Sequence, residues 1–311
     1  MNLRKIEGLN IALVNLSGIG DVISSLSVGS PLSEKNKVTY IIPKAYQGLL
    51  SDSGFEEKAS DSPNFNRFDI VIDLTSNKES RKLIKSISAK YKIGRYKNKI
   101  QKLKYSFLYN KMVEKFPSYD NIIMDYKPIV DLFNLHFSNI IELQSLEEEI
   151  KKEIIIHIGA DKEIRRIPTN LIVEICDYSK QNNITVRLVG TEEILANEIL
   201  SRTKKYPVYE KGSLKDVKSW LNESSLIIAP DSGIFHLGSA LGKKAIGLYG
   251  PNTSLRAGVK SVNSQHLELD YDCRPCNQNI TCPYNNKCMN DIPFNELKHS
   301  IDETFGIKEN I

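Results

Sequence analysis

Short apolar runs rich in β-branched residues alternate with amphipathic stretches along the whole chain. Residues 9–16 (LNIALVNL), 38–42 (VTYII) and 68–74 (FDIVIDL) have strand length and strand composition. Helical spacing falls between and after them, near 22–33, 44–51 and 121–134. The scheme then repeats, with strands predicted at 153–158 (EIIIHI), 185–189 (TVRLV), 225–229 (SLIIA) and 245–249 (AIGLY). Helices are predicted at 168–180, 192–203, 213–222 and 233–241. Strands this apolar, alternating with helices, predict parallel sheets covered on both faces, an α/β fold of βαβ units. The acidic, polar stretch 144–152 (QSLEEEIKK) separates the two series. It predicts two Rossmann-like domains, residues 1–150 and 151–311, with a last helix near 293–305 packing on either half.

Composition agrees with two ordinary globular domains: 311 residues, 41% hydrophobic and 26% charged, leave each half enough apolar material for its own core. No run of eighteen apolar residues offers a bilayer span. The opening residues lead straight into a strand pattern without the features of a signal peptide, so a cytoplasmic protein is expected. The net charge of +4 hides an asymmetry. Residues 78–115 hold thirteen Lys or Arg against Glu79 and Glu114, a segment charge of +11 that leaves −7 for the rest. One surface of the first half is therefore expected to be basic. Four of the five cysteines, Cys273, Cys276, Cys282 and Cys288, crowd into one short segment. In a reducing compartment that clustering suggests metal ligands before disulfides.

Open α/β sheets bind ligands beyond the carboxyl ends of their strands, so the loops after strands carry the candidate chemistry. The first is Ser17-Gly18-Ile19-Gly20-Asp21. Gly18 and Gly20 allow close backbone approach to a donor ligand, and the helix behind them offers free amides. The spacing is not that of a dinucleotide fingerprint. Asp21 reads either as a helix N-cap or as a general base kept ionised by the helix end. The second loop, His157 to Pro168, contains Arg165 and Arg166 just before a helix. They suit a phosphate, or form a solvated surface pair. The third, Pro230-Asp231-Ser232-Gly233-Ile234-Phe235-His236, opens a helix at a strand end. Asp231, Ser232 and the Gly233 amide form a corner for an anion or a hydroxyl, with His236 one turn on.

These motifs, taken in order, resemble the bacterial ADP-heptose lipopolysaccharide heptosyltransferases, glycosyltransferase family 9. The likeness covers the SxxGDV start, KIGRY and SFLYNKMV within 92–113, HIGA followed by RIP, and VGTEE. It continues through APDSGIFHLGSALG, GLYGPN and the closing CRPC and CPYNNKCMNDI. The resemblance implies a GT-B fold, two Rossmann-like domains with parallel sheets facing across a cleft, acceptor on the first and donor on the second. It implies inverting transfer of heptose from ADP-heptose to a hydroxyl of the lipopolysaccharide inner core, without a catalytic metal or other cofactor. Asp21 would be the base, Arg165 the donor-phosphate cation, and Asp231, Ser232, Gly233 and His236 the donor loop. Glu192 or Glu193 would reach the ribose. Ser17-Gly18 and Ile167 depart from the usual pattern at positions bearing on the choice of sugar and acceptor.

The same resemblance suggests structural zinc or iron on the four cysteines. The basic stretch, with Lys92, Arg95 and Lys97 as acceptor-binding cations, is expected to meet a phosphorylated glycolipid at the inner-membrane surface. A merely solvated face is the second reading of that stretch and nucleic acid the last. Two other functions remain open: a heptosyltransferase with a protein acceptor, of autotransporter type, and a non-catalytic nucleotide-sugar-binding protein of the same fold.

Overall fold

The computed structural model describes residues 2–51, 53–65, 67–115, 121–143, 149–257, 261–276 and 282–308. The chain divides into two compact units, Met1–Gln144 and Ser145–Ile311. Most of the stretch read as a linker, residues 144–148, lies outside the described residues, and Lys151 and Lys152 already belong to the next strand.

The first unit contains strands β1 (Asn10–Val14), β2 (Lys37–Ile42), β3 (Glu56–Ala59), β4 (Phe68–Asp73), β5 (Ala89–Tyr96) and β6 (Lys111–Glu114). Its helices are α1 (Ile19–Ser24), α2 (Leu26–Ser33), α3 (Lys78–Ser86), α4 (Lys99–Tyr105) and α5 (Lys127–Phe133). The sheet order is β3-β2-β1-β4-β5-β6, every pair parallel, so the strand order reverses between β1 and β4. Ile11, Ala12, Leu13 and Val14 of β1 have no exposed surface, the mark of a strand covered on both faces.

The second unit repeats this topology with β7 (Lys151–His157), β8 (Thr185–Val189), β9 (Val208–Glu210), β10 (Ser224–Pro230), β11 (Ala245–Tyr249) and β12 (Ser264–Glu268). Its helices are α6 (Thr169–Gln181), α7 (Glu193–Arg202), α8 (Leu214–Glu223), α9 (Gly233–Ala240), α10 (Ser254–Ala257), α11 (Lys287–Asn290) and α12 (Phe294–Phe305). The order β12-β11-β10-β7-β8-β9, again all parallel, reverses between β7 and β10. Leu297 and Ile301 carry α12 into the second unit's core beside Ile172, Ile175 and Leu226, which fixes where the last helix packs.

Three expectations need correction. The helix expected over 44–51 is a single 3-10 turn, Lys44–Tyr46. Gly48 stops it at φ 89°, a left-handed value, and its amide donates to the Glu57 carboxylate at 2.7 Å. The helix expected over 22–33 begins earlier and breaks at Ser25 into α1 and α2. The basic stretch contains two strands, β5 and β6, that its charge had masked. Among the described residues no helix is long and apolar enough to cross a membrane.

Candidate active site

In the second unit the segments leaving β7 and β10 start side by side at the strand-order reversal, where such sheets bind ligands. The first makes a 3-10 turn, Glu163–Arg165, before Pro168 starts α6. The second turns at Asp231 into α9, whose N-cap is Ser232: its hydroxyl accepts from the Phe235 amide at 3.4 Å. Together they bring Arg165 Nη1 to 3.7 Å from Asp231 Oδ2. His236 Nε2 lies 3.7 Å from Oδ1, and the Asn252 side-chain amide donates to the same carboxylate.

Asp231 is buried, and burial alone would raise its carboxyl. His236, Asn252 and Arg165 together outweigh that and hold it below the usual carboxylate range. Asp231 thus holds a cation and an imidazole in place, since a carboxylate would itself repel phosphate. Groups of this corner able to meet an anion are Arg165 and the first amides of α9, which have no partners inside their helix. His236 Nδ1 is buried and has no hydrogen-bond partner among the described residues, as expected of a group that a ligand completes.

Sequence reasoning missed three supports. His157, at the end of β7, places Nδ1 3.1 Å from the Ser232 hydroxyl; burial lowers its pKa to about 4, so it is neutral at physiological pH. Its signal was the HIGA motif, read there only as a loop marker. Asn252 stood in GLYGPN, equally legible and equally unassigned. Arg274 gave no signal beyond being a spacer between two cysteines. Its guanidinium donates to the carbonyls of Tyr249 (3.2 Å), Asn252 (2.7 Å), Gly250 and Leu269, and to the Glu268 carboxylate at 2.7 Å. Arg274 therefore ties the cysteine segment to the loop that carries Asn252.

Glu192 and Glu193 separate clearly. The Glu192 carboxylate fills a notch that Gly159 and Gly190 leave open: a Cβ would come within 2.6 Å of it at Gly159 and 2.9 Å at Gly190. It accepts from the Thr191 amide at 2.9 Å and lies 3.7 Å from Arg166. Glu193 is exposed and spends its charge on Lys211 at 2.8 Å. Of the two, Glu192 stands at the ends of β7 and β8. Arg166 lies 3.7 Å from Glu192 and 3.8 Å from Glu163.

In the first unit, Asp21 occupies the third position of α1 and is not its N-cap; that place belongs to Gly18. Gly20 lies between them inside the first turn. The Asp21 carbonyl accepts from the Asn15 amide at 3.1 Å and the Tyr126 hydroxyl at 3.3 Å, which pins the turn to the reversal between β1 and β4. Two cations act on the Asp21 carboxylate, Arg95 and Lys115. Burial lowers the pKa of Lys115 and Arg95 adds to that, while Asp125 and Asp21 oppose it.

The acceptor-binding trio is corrected in part. Arg95 is 3% exposed, and its guanidinium donates to the Leu74 carbonyl at 3.1 Å and the Asp125 carbonyl at 2.5 Å. Lys92 donates to the Ile84 carbonyl at 2.6 Å, and burial lowers its pKa. Both lie on β5, a strand with neighbours on each side, and these bonds turn them inward, while the Arg95 Nε is buried with no hydrogen-bond partner among the described residues. Lys97, just past the strand, is exposed.

Cys273, Cys276, Cys282 and Cys288 are free thiols lining one cavity of about 230 Å³, whose wall also includes Ile164 and Pro251. Burial pushes the Cys288 thiol above its ordinary value; Arg274 opposes this and the other three cysteines add to it. Among the described residues no three His, Cys, Asp or Glu side chains are grouped so as to hold one ion. The thiols share a cavity but are not drawn into one coordination shell, a looser arrangement than the four-thiolate site expected.

With this geometry in place, comparison with known proteins is informative. The profile of glycosyltransferase family 9 (heptosyltransferase) matches residues 64–287. Lipopolysaccharide heptosyltransferase 1 of Campylobacter coli is 22% identical over 328 residues, covering 85% of this chain and 94% of that protein. Among solved structures, the family 9 glycosyl transferase from Veillonella parvula superposes with a TM-score of 0.80 at 16% identity, covering 98% of this chain and 99% of that one. E. coli heptosyltransferase WaaC with ADP gives 0.74 at 16% identity, covering 94% and 99%. Likeness over nearly entire chains gives the fold as GT-B. A profile match across well over half the residues, including the Arg165–Asp231–His236 corner, goes further: this chain belongs to glycosyltransferase family 9, the heptosyltransferases, and is a glycosyltransferase.

Proposed function

We propose that the protein moves heptose from ADP-heptose to a sugar hydroxyl of the lipopolysaccharide inner core, Kdo or a first heptose, with inversion and without a catalytic metal. The observation that carries this reading is the corner where buried, ionised Asp231 holds Arg165 and His236 at the start of α9. Such a corner suits the diphosphate of a nucleotide-sugar, and ADP is what WaaC holds in the structure compared above. Glu192 is assigned to the ribose.

The reaction assigned to these groups is one displacement. Asp21 takes the proton of the acceptor hydroxyl as that oxygen bonds to the anomeric carbon. The bond from that carbon to the β-phosphate oxygen breaks in the same step, and ADP leaves with its electron pair. Charge growing on the leaving diphosphate is met by Arg165 and the α9 amides, a stabilisation that needs no metal ion. Backside attack inverts the anomeric centre, and one carboxylate suffices because no second displacement follows. Purified enzyme given ADP-heptose and a Kdo-terminated acceptor is expected to release ADP, to give the inverted anomer by NMR, and to keep its rate in EDTA. Retained configuration, or a rate lost in EDTA and restored by added magnesium, overturns the mechanism. Transfer only to a protein hydroxyl moves the acceptor assignment to the autotransporter type.

The four thiols are soft donors lining one cavity, the donor type of a structural zinc or iron site, although here they are not grouped around one point. Bound there, the metal would brace the Cys273–Cys276 segment and, through Arg274, the Asn252 loop. Metal analysis of anaerobically purified protein is expected to give about one zinc or iron per chain, lost in Cys273→Ser and Cys288→Ser. Metal-free wild type of unchanged thermal stability would end that assignment.

A further inference from the structure

Helix α4 turns its apolar side chains the wrong way for a core helix. Ile100 is 78% exposed, Leu103 79% and Phe107 75%. Steps of three and four residues set all three on one side of a helix. Past α4 the chain continues in tighter turns that leave Phe107 exposed: the Ser106 amide donates to the Leu103 carbonyl at 3.4 Å and the Leu108 amide to the Tyr105 carbonyl at 3.0 Å. Gln101, Tyr105 and Leu108 fall on the other side and are half-buried, so the element is anchored by its back. The projecting ridge is flanked by exposed lysines, Lys99, Lys102 and Lys104. Lys85 lies 5.9 Å from the Phe107 ring. The ridge thus stands within the stretch of charge +11.

Three large apolar side chains ringed by cations have a specific complement. Another copy of this face would be repelled by its own charge. A nucleic acid would meet the lysines but leave the aliphatic tips in water. A bilayer rich in anionic headgroups satisfies both at once: lysine stems lie along the interface with their ammonium groups at phosphates, and the apolar tips enter the boundary with the acyl chains. We infer that α4 and the turn behind it dock the enzyme on an anionic lipid surface, with Ile100, Leu103 and Phe107 as the inserted ridge. The inference rests on the glycolipid-acceptor reading and deepens it, because a site that serves a membrane-held acceptor gains from being held at the same surface.

The test uses the full chain in vesicle flotation, with phosphatidylcholine alone and with phosphatidylcholine mixed with phosphatidylglycerol. Wild type is expected to bind the mixed vesicles at least about tenfold more tightly than the neutral ones, since the lysines respond to surface charge. The triple variant Ile100→Ser, Leu103→Ser, Phe107→Ser is expected to lose about tenfold or more of that binding. Its thermal stability should be unchanged, because the replaced side chains stand in water. Its transfer to a delipidated, water-soluble acceptor should equal wild type, while transfer to the same acceptor in vesicles falls. Flotation of the triple variant equal to wild type overturns the inference. So does a wild type that ignores phosphatidylglycerol, or a triple variant whose only change is a smaller oligomer in sedimentation. Wild type that floats but transfers sugar to neither acceptor leaves the docking in place and removes the glycolipid function.

Discussion

Asp21→Asn is expected to lower kcat about a hundredfold to ten-thousandfold, the range for loss of a general base, and to leave the KM for ADP-heptose within about twofold. Asparagine keeps the size and polarity of the side chain but cannot accept the acceptor's proton. The fold should tolerate the change. The helix-end contribution of Asp21 is about 0.3–1 kcal/mol, and its carbonyl bonds to Asn15 and Tyr126 survive the change because they do not involve the side chain; the thermal midpoint measured beside kcat registers what its other contacts contribute. Two cations of the first unit, Arg95 and Lys115, feel the charge of Asp21. If Asp21 served only to start α1, kcat would stay constant while the thermal midpoint dropped slightly. That outcome would remove Asp21 from the chemistry.

What the sequence made legible follows from where charge sits. Strands β1, β7, β10 and β11 each carry an uninterrupted apolar run, IALV, III, LIIA and AIGLY, so stretches such as LNIALVNL and SLIIA announced them. β5 has Lys90, Lys92 and Arg95 within its eight residues, and its polarity hid a strand. Only the fold reveals that Arg95 donates through its two terminal nitrogens to two backbone carbonyls, and Lys92 to one. Edge strands β9 and β12 lack a continuous apolar run for the opposite reason, being partly open to water. Of the site, Asp231, Ser232 and His236 share one short motif and were visible together. Their supports come from remote segments: His157 is 75 residues from Ser232, and Asn252 is 21 from Asp231. No local pattern records such pairings. The different settings of Glu192 and Glu193 were equally closed to sequence, because they turn on which carboxylate finds the space beside two glycines.

Arg165→Met is expected to reduce kcat/KM for ADP-heptose about a hundredfold to a thousandfold, comparable to removing one preorganised donor from a charge-stabilising site. Arg165→Lys should recover to within about tenfold of wild type, since a point cation in the same place still meets the leaving phosphate. Stability is the competing explanation, and magnitudes decide against it. Breaking a fully buried ion pair costs about 3–5 kcal/mol, but Arg165 is 21% exposed and lies 3.7 Å from Asp231, which brings the cost toward the ~1 kcal/mol of a solvent-screened pair. Asp231 also retains His236 and Asn252. A loss near 1 kcal/mol leaves almost all molecules folded at assay temperature, so a hundredfold fall in rate cannot come from unfolding. The measurement is kcat and KM for all three proteins beside their thermal midpoints. Equal rates for the methionine variant and wild type would move the diphosphate away from Arg165 and take the donor assignment of the Asp231 corner with it.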